Sequence, residues 1–151
     1  FSVKETRLVE TVVREHLRPV QMGKETVPTT RAVYRYFRDV GDAALDTLFF
    51  SLADHLAARG PDLDLTNWRW HANIVAYMLA ESAAEKKVVK PDKLIDGDDL
   101  QQNCGLLPGP EIGRLLESVR EAQAAGEVVT RKEALSYIKK LIGQGKSNET
   151  L

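Results

Sequence analysis

From Val3 to Ile142 the apolar side chains recur every three to four positions, and the alternation that marks a half-buried strand is nearly absent. A chain patterned this way hides its apolar residues by packing amphipathic helices on one another, so the reading is all-α: a bundle of about six to seven helices joined by Pro- and Gly-marked turns. The first spans roughly Val3 to Leu17, with Leu8, Val9, Val12, Val13 and His16 on one side and Pro19 ending it. Thr29 or Thr30 caps a second, whose Val33, Tyr34, Phe37 and Val40 point inward up to Gly41. Asp42 caps DAALDTLFFSLADHLAAR, which is apolar around most of its circumference and reads as the central buried helix, closed by Gly60 and Pro61. NWRWHANIVAYMLAESAAEKK follows, with Trp68, Ile74, Val75, Met78 and Leu79 as its packing face.

The stretch from Lys86 to Pro110 changes character: a Lys pair, Pro91, the acidic cluster Asp96, Asp98 and Asp99, and then GLLPGP. It divides the chain into residues 1–90 and a smaller helical subdomain, 91–151. In the latter Ile112, Leu115, Leu116 and Val119 make one helix ending near Gly126, and Thr130 with Glu133 forms the capping box of a last helix carrying Leu135, Ile138, Leu141 and Ile142. Within LLPGPEIGRLL, Gly109 allows the turn, Pro110 suits a first helical turn and Gly113 permits close approach of another helix. The tail GQGKSNETL reads as frayed.

Composition narrows the function classes. A 151-residue chain with 21 Lys+Arg against 22 Asp+Glu carries a formal charge of −1, without the overall basic excess of small autonomous nucleic-acid binders. The balance is uneven along the chain: residues 1–60 sum to +1, 61–111 to −4 and 112–151 to +2. Any RNA contact therefore rests on local patches. Cys104 is the single cysteine, which rules out an intramolecular disulfide, points to a reducing compartment and reads as a small core residue. No apolar run reaches the ~20 residues of a membrane span and no signal segment opens the chain, so the expectation is a cytoplasmic protein without a membrane partner. The start on Phe1, without an initiator Met, suggests a partial or processed polypeptide.

Two basic rows stand out. Arg31, Arg35 and Arg38, at i, i+4 and i+7, place three guanidinium groups on one stripe beside Tyr34 and Tyr36, a combination suited to phosphates and stacked bases. Arg131, Lys132, Lys139 and Lys140 form the second, with Lys146 beyond. Either row reads equally as an ordinary solvated helix face. His16 on the first helix and Asp54 beside His55 on the third have the residue types of a divalent metal site, yet no HExxH, CxxC or other tight ligand pair accompanies them. Walker loops and nucleophile elbows are absent from the sequence.

The segments VREHLRPVQM, RAVYRYFRDVGDAALDTLFFSLADHLA and LIDGDDLQQNCGLLPGPEIGRLLESVREAQAAGEVVTRKEAL, in this order, resemble the C-terminal half of bacterial tRNA nucleotidyltransferase/poly(A) polymerase family proteins that carry an HD domain. The resemblance implies a parent enzyme with an N-terminal catalytic head that uses Mg²⁺ to add nucleotides to an RNA 3′ end, followed by an HD region and a helical body and tail that cradle tRNA. This chain has none of the head's signature motifs. It therefore reads as a non-catalytic helical portion, with tRNA and the catalytic head as partners and no cofactor of its own. The HD pattern implies His16 as an accessory ligand and Asp54 as the terminal ligand. The early His and the His-Asp doublet are missing, so the implied metal site is empty or weak. Two other readings stand beside this one: a fragment of an HD-type metal-dependent phosphohydrolase, and a helical protein–protein interaction module that forms homodimers.

Overall fold

The computed structural model describes residues 1–23, 27–84 and 92–148, with backbone alone at 84 and 145–148. The described residues form helices joined by short connections, without strands: α1 (Val3–Glu15), α2 (Arg18–Met22), α3 (Thr30–Val40), α4 (Ala44–Arg59), α5 (Leu65–Ala84), α6 (Gly97–Cys104), α7 (Pro110–Ala124) and α8 (Arg131–Asn148), plus single 3₁₀ turns at Gly41–Ala43 and Gly60–Asp62. The all-α expectation holds. The chain divides into two compact units, Phe1–Val89 and Lys90–Leu151.

In the first unit α3 supplies the most strongly inward face: Val33, Tyr36, Phe37 and Val40 meet Ala43, Ala44 and Leu48 from the start of α4 and Ile74, Val75 and Met78 from α5. Fully burying such a side chain is worth roughly 1.5–3 kcal/mol. Tyr36 enters this core without leaving its hydroxyl unpaired, because it donates to the Ala44 carbonyl at 2.9 Å.

Local chemistry sets the helix ends. Ser2 and Glu5 form a reciprocal box at α1, Thr29 Oγ1 accepts from the Ala32 amide at α3, and Asp64 accepts from the Thr66 and Asn67 amides at α5. Several expectations change here. Pro19 does not terminate a helix: it is buried in the first turn of α2, where its missing N–H costs nothing. Asp42 does not cap α4 but sits in the 3₁₀ turn before it, and α4 has no side-chain cap. Nor is α4 a central buried helix: Ala44, Thr47, Leu48 and Ser51 are buried, while Leu45, Phe49, Phe50 and Leu56 are exposed. α1 has no buried residue at all, and Leu8, Val9 and Val13 are largely solvent-facing.

The second unit gathers Ile95, Leu100, Ile112, Val119, Ala122, Val128, Ala134 and Ile138, with Cys104 partly buried against them. The acidic cluster, within the stretch read as a boundary, is a helix start. Asp96 Oδ1 accepts from the Asp99 amide at 3.1 Å and Asp99 Oδ2 accepts from the Asp96 amide at 3.0 Å, launching α6, which ends on Gly105 at φ 66°. Glu133 Oε2 accepts from the Thr130 amide at 3.0 Å and Thr130 Oγ1 from the Glu133 amide at 3.3 Å, the box expected for α8. α8 continues to Asn148, so residues 143–148 of the expected frayed tail are helical, and 149–151 lie outside the described residues.

The close-approach glycine is Gly23. A Cβ there would stand 2.7 Å from the Ile74 side chain and 3.1 Å from Trp70, so any larger residue makes the Ile74 side chain shift for the end of α2 to lie this near α5. Gly113 is exposed with nothing within 4 Å of a Cβ position, which corrects the packing role expected of it.

Candidate nucleic-acid interface

The Arg31, Arg35, Arg38 row runs along α3, whose opposite side is the core. That amphipathicity decides the fate of its aromatic neighbours: Tyr34 and Tyr36 are both buried and unavailable for stacking on bases. They serve instead as platforms for arginines, with Arg38 over the Tyr34 ring and Arg18 over the Tyr36 ring, each 5.8 Å from the centroid. Arg38 Nε and Arg18 Nη2 converge on the Asp39 carboxylate at 2.7 and 2.8 Å, and Arg18 Nη1 reaches Glu15 at 3.3 Å. Burial pushes the Asp39 carboxyl up, but the hydrogen bonds from Arg38 and Arg18 outweigh it and hold the group below its ordinary range. Part of the row is thus a neutralised structural clamp between the α2 start and the end of α3.

The second row fares differently. Arg131 pairs with Asp99 and ties the start of α8 to α6. Lys132, Lys139 and Lys140 are exposed, and among the described residues none meets a carboxylate. Spaced i, i+7 and i+8, they leave the turns opposite the buried Ala134 and Ile138 as a compact cationic face. The Lys146 side chain lies outside the described residues.

His16 and Asp54 do come together, Nε2 to Oδ2 at 3.9 Å, across α1 and α4. His16 Nδ1 is 2.7 Å from the Val13 carbonyl, which makes Nδ1 the protonated nitrogen and leaves Nε2 toward the carboxylate. Its ring stands edge-on to Phe50 at 5.7 Å. Two ligands do not hold a metal, and among the described residues no group of three or more His, Cys, Asp or Glu converges. Among the described residues, His16 and Asp54 by themselves do not fit a metal-bearing catalytic centre.

Sequence reasoning missed a chain of polar groups inside the first unit. Ser51 Oγ donates to the Leu48 carbonyl at 2.7 Å and lies 3.2 Å from His71 Nε2, while His71 Nδ1 lies 3.0 Å from His55 Nδ1. The single hydroxyl proton is committed to Leu48, so His71 Nε2–H donates to Ser51 and His55 Nδ1–H donates to His71. Burial, and secondarily the nearby His55, lowers the His71 pKa to about 4, so the ring is neutral. His71 is 16 residues from His55 and on another helix, so the pair carries no sequence signature; Ser51 and His55 on α4 meet His71 on α5 when the two helices pack. Ser51 is itself buried, which removes it from nucleophilic work.

No helix among the described residues is long and apolar enough to cross a membrane. The family model of tRNA nucleotidyltransferase domain 2 matches residues 5–138. Among curated proteins the chain is 32% identical to the A-adding tRNA nucleotidyltransferase of Deinococcus radiodurans over 133 residues, 85% of this chain and 28% of that protein. It is 30% identical to the CC-adding tRNA nucleotidyltransferase of Thermus thermophilus over 139 residues, 91% of this chain and 28% of that one. The CC-adding enzyme of Synechocystis sp. matches at 26% identity over 141 residues, 93% of this chain and 31% of the relative. The chain thus spans less than a third of the length of these relatives, and no solved structure matches it significantly. With a family match that runs from α1 into α8, the chain belongs to the tRNA nucleotidyltransferase domain 2 family.

Proposed function

We propose that this chain grips tRNA for a nucleotide-adding enzyme and performs no nucleotide transfer itself. The observation that carries the reading is the exposed Lys132, Lys139, Lys140 face on a domain whose relatives are named as A-adding and CC-adding tRNA nucleotidyltransferases. Phosphate contacts from such a face position an RNA without reading its sequence. Residues 1–90 correspond in this reading to the end of an HD-type region and a helical body, and 91–151 to the tail. The Mg²⁺-dependent chemistry belongs to a separate catalytic head, and a tRNA partner places the work in the cytoplasm. The Arg31, Arg35, Arg38 row extends the grip on the first unit, where Arg38 is also held by Asp39.

The test is tRNA binding titrated with salt. Changing Lys132, Lys139 and Lys140 together to Ala is expected to lower the slope of log K against log [salt] by about three, one per phosphate contact. Binding that is undetectable at low salt, or a slope untouched by the triple change, would overturn the reading.

A further inference from the structure

The solvent side of α4 has the composition of a core. Of its nine exposed positions two are charged, Asp46 in the first turn and Arg59 at the last residue; the others are Leu45, Phe49, Phe50, Leu56 and three alanines. Phe50 leans toward α1, where it meets Leu8, Val9, Val12 and Val13 around an almost wholly apolar hollow of about 260 Å³. Phe49 is 58% exposed, Val13 59% and Val9 54%. Taken together, six half-exposed side chains, Val9, Val13, Leu45, Phe49, Phe50 and Leu56, present on the order of 500 Å² of apolar surface, at the upper end of what monomers leave open in one patch.

We propose that this α1–α4 face is the docking surface for a helical layer of the nucleotide-adding polypeptide, a proposal that rests on the function given above. RNA is the poorer occupant by chemistry, since the hollow is almost wholly apolar with Asp46 in its lining, and the cations at its margin, Lys4 and Arg7, share their pocket with Asp42 and Asp46. A protein layer fits: α1 and α4 side by side make ridges and a groove for an amphipathic helix with apolar residues at i, i+3/i+4 and i+7 and a basic side chain opposite Asp46. Its source is indicated by length, because more than two thirds of each relative lies outside the span this chain matches, whereas the family match itself includes both helices of the open face.

The experiment compares amide hydrogen exchange of α1 and α4 in the 151-residue chain and in the same chain substituted for the matching span of the Deinococcus radiodurans A-adding enzyme. In the chain alone α1 should exchange rapidly; joined to the remainder of the enzyme it should slow by at least about tenfold, and Val9→Glu with Phe49→Glu should abolish the slowing. The Deinococcus enzyme, intact against its excised matching span, repeats the comparison without a junction. Equal exchange in both settings overturns the proposal, as does a dimer of the chain alone with α1 protected, which makes a second copy the occupant. The Val9→Glu, Phe49→Glu pair should leave tRNA binding by the chain unchanged, and the triple lysine change should leave α1 protection unchanged, so loss of the grip and loss of the docking face are read separately.

Discussion

The units Phe1–Val89 and Lys90–Leu151 are built from amphipathic helices of similar pattern but dispose of their apolar residues differently. In the second, the large apolar side chains of the helices turn inward, and among the described residues the strongly exposed ones are Leu107 and Val129, both in connections. Reciprocal caps at both Asp96–Asp99 and Thr130–Glu133 close the starts of two of its three helices. In the first, α3 and α5 bury their faces while α1 and α4 keep an apolar side open. An apolar stripe reports that a helix seeks a partner, and its periodicity is silent on whether that partner lies within the same unit.

The comparison is broken most directly by truncating side chains of one kind on its two sides. Met78→Ala in the first core and Ile138→Ala in the second, both at 0% exposure, should each cost about 2–5 kcal/mol in chemical denaturation. Phe49→Ala, although it removes a larger side chain, should stay within about 0.5 kcal/mol in the chain alone. A Phe49→Ala loss as large as that of Met78→Ala would mean the open face is covered in solution.

Acid should separate the units next. His71 titrates near 4 when folded against about 6.5 when free, so the unfolded chain binds the extra proton between these values. The stability it provides is complete above about pH 6.5 and falls as pH drops toward 4, by up to roughly 3 kcal/mol. Protonating His71 Nδ1 also sets it against the His55 N–H that donates to it. Both tryptophans, Trp68 and Trp70, lie in the first unit, so their fluorescence during denaturation at pH 7 and pH 4.5 follows this loss, and His71→Gln should flatten it.

Glycine provides the smallest contrast. Gly23→Ala is expected to destabilise by about 1–3 kcal/mol because the new methyl meets Ile74 and Trp70. Gly113→Ala, in an open helical position, should stabilise by about 0.5–1 kcal/mol. Thermal melts of the two variants measure both, and equal signs would refute the assignment of close approach to Gly23 alone.

Much of this was legible in residues close along the chain. The Thr130–Glu133 box, the Gly41 and Gly60 stops and the inward faces of α3 and α5 depend on neighbours within a turn or two, where spacing and residue type settle the geometry. The same kind of signal was present at Asp96–Asp99 and was obscured by its acidity, since a carboxylate pair reads as surface charge before it reads as a cap. The candidate basic rows were visible too, though the burial of Tyr34 and Tyr36 and the commitment of Arg38 and Arg131 to Asp39 and Asp99 depended on partners brought by other elements.

What the amino-acid order determined by itself is therefore the helical class, most helix limits, the family resemblance and which positions carry charge, all of them consequences of local propensity and short-range spacing. Tertiary structure alone decided that α1 and α4 have an open face, that Gly23 and not Gly113 marks the close approach, that His55 and His71 are hydrogen-bonded between helices, and that three lysines remain exposed while Arg38 and Arg131 are engaged. Those outcomes hinge on contacts between residues distant in sequence, and a 3.6-residue period sets the direction a side chain takes from its helix without saying what stands opposite it.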